Sequence, residues 1–165
     1  MAPKARQKEL RLQRNRIRNR THAVDLEFAE HFRERVSDLG ENVVFSGKIG
    51  LPKLSARLLK VVEPLTDQTE NDQDYEETIQ LGILAWNFSL LPEEGQTEFI
   101  REMAAQTQAF WADFMSLVGR KCELFPDDDR IILDYMIVGT GPSRRLLVGF
   151  AMDPEALPAG QAVQR

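Results

Sequence analysis

The two histidines are candidates for chemistry, because an imidazole can act in acid–base catalysis and can bind a metal ion. His22 and His31 lie nine residues apart in a segment with helical periodicity. Nine helical residues rotate by about 900°, so the two side chains would face opposite sides of one helix. They cannot share a metal ion without a further element. His31 follows Glu27 by four residues, a spacing that predicts a surface ion pair.

The sequence lacks the other common motifs of catalysis. It contains no His-Glu-x-x-His, calcium-binding loop, Gly-x-Ser-x-Gly or P-loop. Its one cysteine, Cys122, cannot form an internal disulfide, which fits a reducing cytoplasm. The neighbouring Arg120 and Lys121 would favour a thiolate, but a lone cysteine near a helix end is commonly a small apolar residue. We expect a cytoplasmic protein that is not an enzyme and binds no metal ion or cofactor.

Two loops contain residues that suit a charged ligand. The run 127–129 supplies three aspartates, but a magnesium site usually adds phosphate or ligands from distant positions. We therefore predict a solvated turn there. The segment 139–145 contains two glycines and two arginines, yet it joins two predicted strands and Pro142 has no N–H to offer a phosphate. Arg144 and Arg145 are kept as a possible contact pair on this loop.

Asn87 stands out in the most apolar helix-length stretch, residues 75–91. A buried amide needs hydrogen-bond partners, so a structural bond to a loop backbone is the default interpretation. A ligand contact beside Trp86 is the alternative, and the sequence does not decide between the two.

Basic residues are concentrated in the first 20 positions, which we call the arm. The arm holds eight of the 21 lysines and arginines and one acid, whereas the remainder holds 13 basic and 25 acidic residues. The arm therefore carries +7 and the remainder −12, an asymmetry typical of a basic arm on an acidic body. The residues predicted to bind nucleic acid are Lys4, Arg6, Lys8, Arg11, Arg14, Arg16, Arg18 and Arg20.

Arginine predominates in the arm, and its planar guanidinium pairs with phosphate at two points. The arm has no aromatic residue on which bases could stack, so binding would depend on backbone charge and show little sequence preference. RNA or a ribonucleoprotein is the predicted partner, with DNA as another possibility. A protein–protein adaptor, or a homo-oligomer whose arm docks on an acidic protein surface, is the alternative function. A small-molecule-binding domain is a weaker third one.

A membrane partner is not expected. No run reaches the roughly 18 apolar residues of a membrane span, and no apolar segment follows the N-terminal charges as in a signal peptide. The arm also lacks the aromatic and leucine-rich face of a helix that lies on a membrane.

The elements that would position these residues follow from periodicity. Apolar residues recur every three or four positions in four segments, which predicts four amphipathic helices. We place helix A at about 22–39, B at about 53–63, C at about 75–91 and D at about 93–118. Pro64 should end helix B. The very short linker at Pro92 predicts that C and D form a central antiparallel pair. Trp86, Phe99, Phe110 and Phe114 should be buried there.

The last part of the chain changes to a strand pattern. Residues 130–138 and 145–152 are rich in β-branched and other apolar residues and flank a turn-rich loop, which predicts a C-terminal β-hairpin. Val43–Phe45 is the internal candidate for a third strand. Otherwise the free edge would belong to a protein partner. The predicted fold is a predominantly helical α+β domain over residues 21–153, with the arm at 1–20, loosely helical or disordered, and a tail at 154–165.

Overall fold

The computed structural model describes residues 23–34, 43–44 and 52–151. The chain divides into two units, Met1–Asp38 and Leu39–Arg165. In the first unit, helix α1 covers 23–34, within the helix predicted at 22–39. Phe28 and Phe32, four residues apart on the predicted apolar stripe, are both buried, and their ring centroids lie 6.0 Å apart.

The second unit contains four helices and three strands among its described residues. They follow in the order β1 (Val43–Val44), α2 (Leu54–Thr66), α3 (Asp72–Phe88), α4 (Glu93–Glu102), α5 (Gln108–Leu124), β2 (Ile131–Val138) and β3 (Arg145–Ala151). A short 3-10 turn, Gly141–Ser143, joins β2 to β3. The described part of the chain is thus a predominantly helical α+β structure with a C-terminal hairpin, as the sequence predicts.

The hairpin confirms the strand assignment closely. Strands β2 and β3 pair antiparallel, and Gly139 and Gly141 in the connecting loop have φ values of 85° and 52°, which favour glycine. Strand β1 pairs with the other edge of β3, opposite Phe150 and Ala151, giving the strand order β1-β3-β2. The third strand is therefore Val43–Val44, which lies within the predicted candidate Val43–Phe45.

Helix α3 is central to the second unit. It packs mainly against α2 and α5 and also contacts β2. Trp86 and Phe114 are fully buried, as predicted, whereas Phe99 and Phe110 are only half-buried. Both half-buried rings stack on Phe114, with centroids 5.5 and 5.7 Å away. All four predicted aromatics belong to one hydrophobic cluster, but only Trp86 and Phe114 lie in its interior.

The prediction of a single long helix D, at about 93–118, is wrong. The chain breaks between α4 and α5, because Thr107 begins a new helix by accepting a hydrogen bond from the Phe110 backbone N–H. Helix α4, which follows the short linker at Pro92, has no buried residue. Of α4 and α5, it is α5 that packs closely against α3. The predicted central pair is better described as α3 between two neighbours, α2 and α5.

The predicted end of helix B at Pro64 is also wrong, since α2 continues to Thr66. Proline has no N–H to bond the carbonyl of Lys60 four residues earlier. Arg120 of α5 supplies that donor instead: its Nη2 lies 2.8 Å from the Lys60 carbonyl oxygen, and its Nε lies 3.1 Å from that of Val61. A side chain from another helix thus offsets the cost of proline in the last turn.

Gly82 marks the closest approach of α2 and α3. A Cβ atom at this buried position would lie 2.2 Å from Cγ1 of Val62, a β-branched side chain with little freedom to move. We expect Gly82→Ala to lower the free energy of unfolding by about 1–3 kcal/mol, as overpacking does, despite the higher helix propensity of alanine.

Gly119 in α5 is the matched control for this substitution, because a Cβ atom there would meet nothing within 4 Å. Gly119→Ala should raise the free energy of unfolding by about 0.5–1 kcal/mol through propensity alone. Urea titration of both variants measures the contrast. An equal stabilisation by the two substitutions would show that α2 and α3 are less closely packed than described.

Candidate functional site

Asn87 binds the backbone of the sheet. Its Nδ2 donates to the Ile132 carbonyl at 2.8 Å, and its Oδ1 accepts from the Ile132 N–H at 2.9 Å. The preceding residue, Trp86, makes a similar bond: its Nε1 donates to the Arg130 carbonyl at 2.8 Å. The two side chains attach α3 to the start of β2 and satisfy backbone groups there. The structure thus gives Asn87 the structural role that was the default interpretation.

Asp128 corrects the prediction of a solvated turn. It is only 5% exposed, although Asp127 and Asp129 on either side are exposed. Its carboxylate accepts two hydrogen bonds from the Arg130 guanidinium, from Nε at 2.7 Å and from Nη2 at 2.5 Å, and another from Arg57 Nη1 at 2.6 Å. Such bidentate and charge-assisted bonds are the strong ones.

Electrostatics at Asp128 follow from this arrangement. Burial alone would raise the pKa of the carboxyl, but the hydrogen bonds and positive charges of Arg130 and Arg57 outweigh burial and hold the pKa below its usual 3.8. Arg130 also donates to the Pro52 carbonyl and lies over the Phe150 ring. These contacts join α2, the α5–β2 loop and the sheet. The triad is structural, and both arginines are engaged within the chain.

Arg144 of the proposed contact pair is similarly engaged. Its Nε lies 3.0 Å from Oδ1 of Asp72, and its guanidinium lies over the Tyr75 ring at 4.2 Å. Burial raises the pKa of Tyr75, and the positive charge of Arg144 partly opposes that rise. The hairpin loop is therefore fastened to the start of α3. Arg145 begins β3 opposite Val138 in the ladder, and it is half-buried.

The remaining residues singled out in the sequence are not brought together. The eight basic residues of the arm and His22 lie outside the described residues. His31 is exposed on α1, and Cys122 is exposed on α5. Within 23–34 and 52–151, no group of three or more His, Cys, Asp or Glu side chains is placed to hold a metal ion.

The described body contains an open groove that has both apolar and charged walls. It lies between the end of α2, the first part of α3 and the start of α5, and its volume is about 690 Å³. We call it the acidic groove. Its apolar residues are Leu65, Leu81, Leu84 and Phe110, and its acidic residues are Asp74, Glu77 and Asp113. No lysine or arginine of the described segments lines it.

The acidity of this region extends well beyond the groove. Residues 61–100 contain ten acidic residues and no lysine, arginine or histidine. That segment contains all of α3, most of α4 and the end of α2. In a chain with 21 lysines and arginines, a forty-residue run without one is a signal that sequence inspection could have used. The pairing of this charge with an apolar floor became visible only in the structure, because the floor combines three helices.

The described basic residues do not offset this charge at the surface. Residues 52–151 contain nine basic and 17 acidic side chains. At least five of the nine basic side chains are engaged in internal contacts, namely Arg57, Arg120, Lys121, Arg130 and Arg144. The body therefore presents a strongly negative surface.

None of the described helices combines the length and hydropathy needed to cross a bilayer. Comparison of the chain with protein-family models, curated proteins and solved structures finds no match.

Proposed function

We propose that this protein is a non-enzymatic accessory or regulatory factor that attaches to RNA, a ribonucleoprotein or DNA through its basic arm, and to protein through its acidic body. The observation that carries the proposal is the separation of charge along the chain. The arm has eight basic residues and one acid, while residues 52–151 have nine basic and 17 acidic residues. Opposite charges kept in separate segments suit a protein that links partners of opposite charge.

The arm would supply the contact with nucleic acid. Each phosphate that a lysine or arginine neutralises releases counterions, which makes the affinity depend on salt. The body carries a net negative charge and would be repelled by phosphate, so the contact would be confined to the arm. Internal engagement of five basic side chains of the body supports this division, because those charges are held by the fold.

The acidic groove favours a second candidate function, an adaptor or homo-oligomer in which a basic segment docks on an acidic protein surface. A groove with an apolar floor and charged walls is a common site for an amphipathic segment. The third candidate, a small-molecule site near Trp86 and Asn87, gains no support. Trp86 is fully buried, and both polar atoms of the Asn87 amide bind Ile132.

The arm can be tested in the full-length chain. We expect replacement of Arg14, Arg16, Arg18 and Arg20 by glutamine to flatten the plot of log affinity against log salt for a single-stranded RNA. Each lost contact should remove roughly 0.7 units of slope, or about 0.9 for duplex DNA. Filter binding or fluorescence anisotropy between ~50 and ~200 mM salt, a range over which such contacts weaken strongly, gives the slope.

The control replaces Lys53, Lys60 and Arg101, three basic residues on the exposed surface of the body, by glutamine. This change should leave the slope nearly unchanged, because these residues lie on a negative surface. Equal flattening by both sets would move the contact from the arm to the body. A full-length protein that retains no nucleic acid at ~50 mM salt, where phosphate contacts are strong, would reject the proposal.

A further inference from the structure

We propose that the acidic groove receives the arm, residues 1–20, of a second copy of this chain. The proposal goes beyond attachment to nucleic acid and does not depend on it, because it concerns a contact between two protein chains. It gives the adaptor alternative a defined site and a defined occupant. The argument combines the charge of the groove, its apolar floor and the composition of the arm.

Charge complementarity is the first part of the argument. Asp74, Glu77 and Asp113 line the groove, and none of the basic residues within 52–151 does. Glu77 and Asp113 are exposed to solvent, and Glu77 also accepts a hydrogen bond from Gln73. The arm carries +7 over 20 residues, the densest positive charge in the chain. Segments of opposite charge attract over roughly a Debye length, about 10 Å at 0.1 M salt, and orient one another before contact.

The apolar floor is the second part. Leu65, Leu81 and Leu84 lie beside Phe110, and all four are only half-buried within the chain. A purely charged surface would bind any cation, whereas an apolar floor selects a segment that also carries apolar side chains. The arm offers Leu10, Leu12 and Ile17 among its basic residues. The volume of about 690 Å³ accommodates several such side chains, since binding clefts of roughly 300–1,000 Å³ enclose drug-sized ligands.

Exchange between two copies strengthens a contact of this kind. If each copy places its arm in the groove of the other, the dimer has two identical contacts related by a twofold axis and closes on itself. Once the first arm has docked, the second contact is effectively intramolecular and benefits from a raised local concentration. Two modest electrostatic contacts then suffice for a dimer that is stable at low salt.

The same arm cannot occupy a groove and a row of phosphates together. If the arm also binds nucleic acid, as proposed above, nucleic acid will compete with the dimer. Binding of RNA would then release the acidic groove for a protein partner. This consequence rests on the proposed function, whereas docking of the arm does not.

The first experiment measures oligomeric state by sedimentation equilibrium with the full-length chain at ~50 and ~500 mM salt, which brackets weak and strong screening. We expect a reversible dimer that dissociates at the higher salt. The groove variant, Glu77→Lys with Asp113→Lys, should weaken dimerisation by roughly tenfold or more, since attraction becomes repulsion at each contact. The control variant, Glu98→Lys with Glu123→Lys, makes the same charge change at exposed positions outside the groove and should dimerise as the parent does.

The second experiment restores the interaction by exchanging charges. An arm variant in which Arg14, Arg16, Arg18 and Arg20 become glutamate should be monomeric, because its arm is repelled by the groove. Mixed with the groove variant, it should form a heterodimer, since its negative arm now meets a positive groove and its own groove meets a positive arm. Thermal unfolding by circular dichroism verifies that both variants remain folded.

The outcomes separate the two proposals. A parent that stays monomeric at ~50 mM salt, where charge attraction is weakly screened, would overturn docking of the arm between copies. So would a dimer that the groove variant leaves intact, or a mixture of the two variants that remains monomeric. Retention of RNA by the groove variant is a separate measurement that concerns the arm alone. A parent chain that dimerises through the groove but retains no RNA at ~50 mM salt, where phosphate contacts are strong, would count against the proposed function and leave the groove contact standing.

Discussion

Replacing Asp128 by alanine is expected to lower the free energy of unfolding by about 3–5 kcal/mol, a loss typical of breaking a buried ion pair by removing one partner. The substitution leaves the guanidinium of Arg130, with a side chain only 4% exposed, without its bidentate carboxylate. It also removes the partner of Arg57, whose side chain is 28% exposed and can reach water more readily. Most of the loss should therefore come from Arg130.

The flanking aspartates are matched controls for this prediction. Asp127 and Asp129 are exposed, so their replacement by alanine should change stability by no more than about 0.5 kcal/mol. Urea titration of the three variants at neutral pH compares them directly. Three similar values would mean that the carboxylate of Asp128 is not buried with two arginines.

The dependence of the free energy of unfolding on pH, at acid pH, provides an independent measurement. The folded-state pKa of Asp128 lies below the usual 3.8, so its ionised form stabilises the fold above that pH. This contribution is lost as the pH falls through the folded-state pKa. We expect the stability difference between the parent and Asp128→Asn to be constant above about pH 5 and to shrink on further acidification. A difference that grows towards low pH would contradict the direction of the shift.

The local features of the fold could be predicted from the sequence because they depend on neighbouring residues. Residues 131–138 and 145–151 combine strand-forming side chains with glycines at two positive-φ positions, and both signals lie within about 20 residues of one another. The bulge in β2 was not predictable in this way. Ile132 pairs with Phe150 and Asp134 with Gly149, which leaves Leu133 as one extra residue on β2.

Features that depend on distant residues were not predicted from the sequence. The local rule for proline predicted a helix end at Pro64, but Arg120 lies nearly 60 residues away and supplies donors to the last turn of α2. Asp128 was assigned to a solvated turn together with its two acidic neighbours. Its partner Arg130 is only two residues away, but its second partner, Arg57, comes from α2, 71 residues away. Both errors involve a side chain with at least one partner far along the chain.

The two parts of the proposed function differ in the same respect. The arm was found from composition alone, since eight basic residues in 20 positions need no tertiary structure to be recognised. The acidic groove needed the structure, because its floor unites Leu65 of α2, Leu84 of α3 and Phe110 of α5. Charge patterns along a sequence therefore indicate that a surface is acidic, whereas the shape that makes it a binding site depends on how the helices pack.

Trp86 should be the most costly aromatic residue to remove from the body. It is fully buried, and it donates a hydrogen bond to the Arg130 carbonyl. Its ring centroid lies 6.0 Å from that of Phe125 and 5.4 Å from Nζ of Lys121. Trp86→Ala should lower the free energy of unfolding by about 3–5 kcal/mol, because it combines lost burial with a cavity. The half-buried Trp111 is the control, and its replacement by alanine should cost clearly less.

Trp86→Phe separates the hydrogen bond from the packing. Phenylalanine retains most of the apolar area but leaves the buried Arg130 carbonyl without the indole donor, a loss of about 1–3 kcal/mol. This carbonyl precedes β2 directly, so the loss should also loosen the attachment of α3 to the hairpin. Amide hydrogen exchange would then show faster exchange in β2 of the Phe variant at unchanged helix content. Denaturant titration that finds Trp86→Ala and Trp111→Ala equally mild would remove Trp86 from the centre of the core.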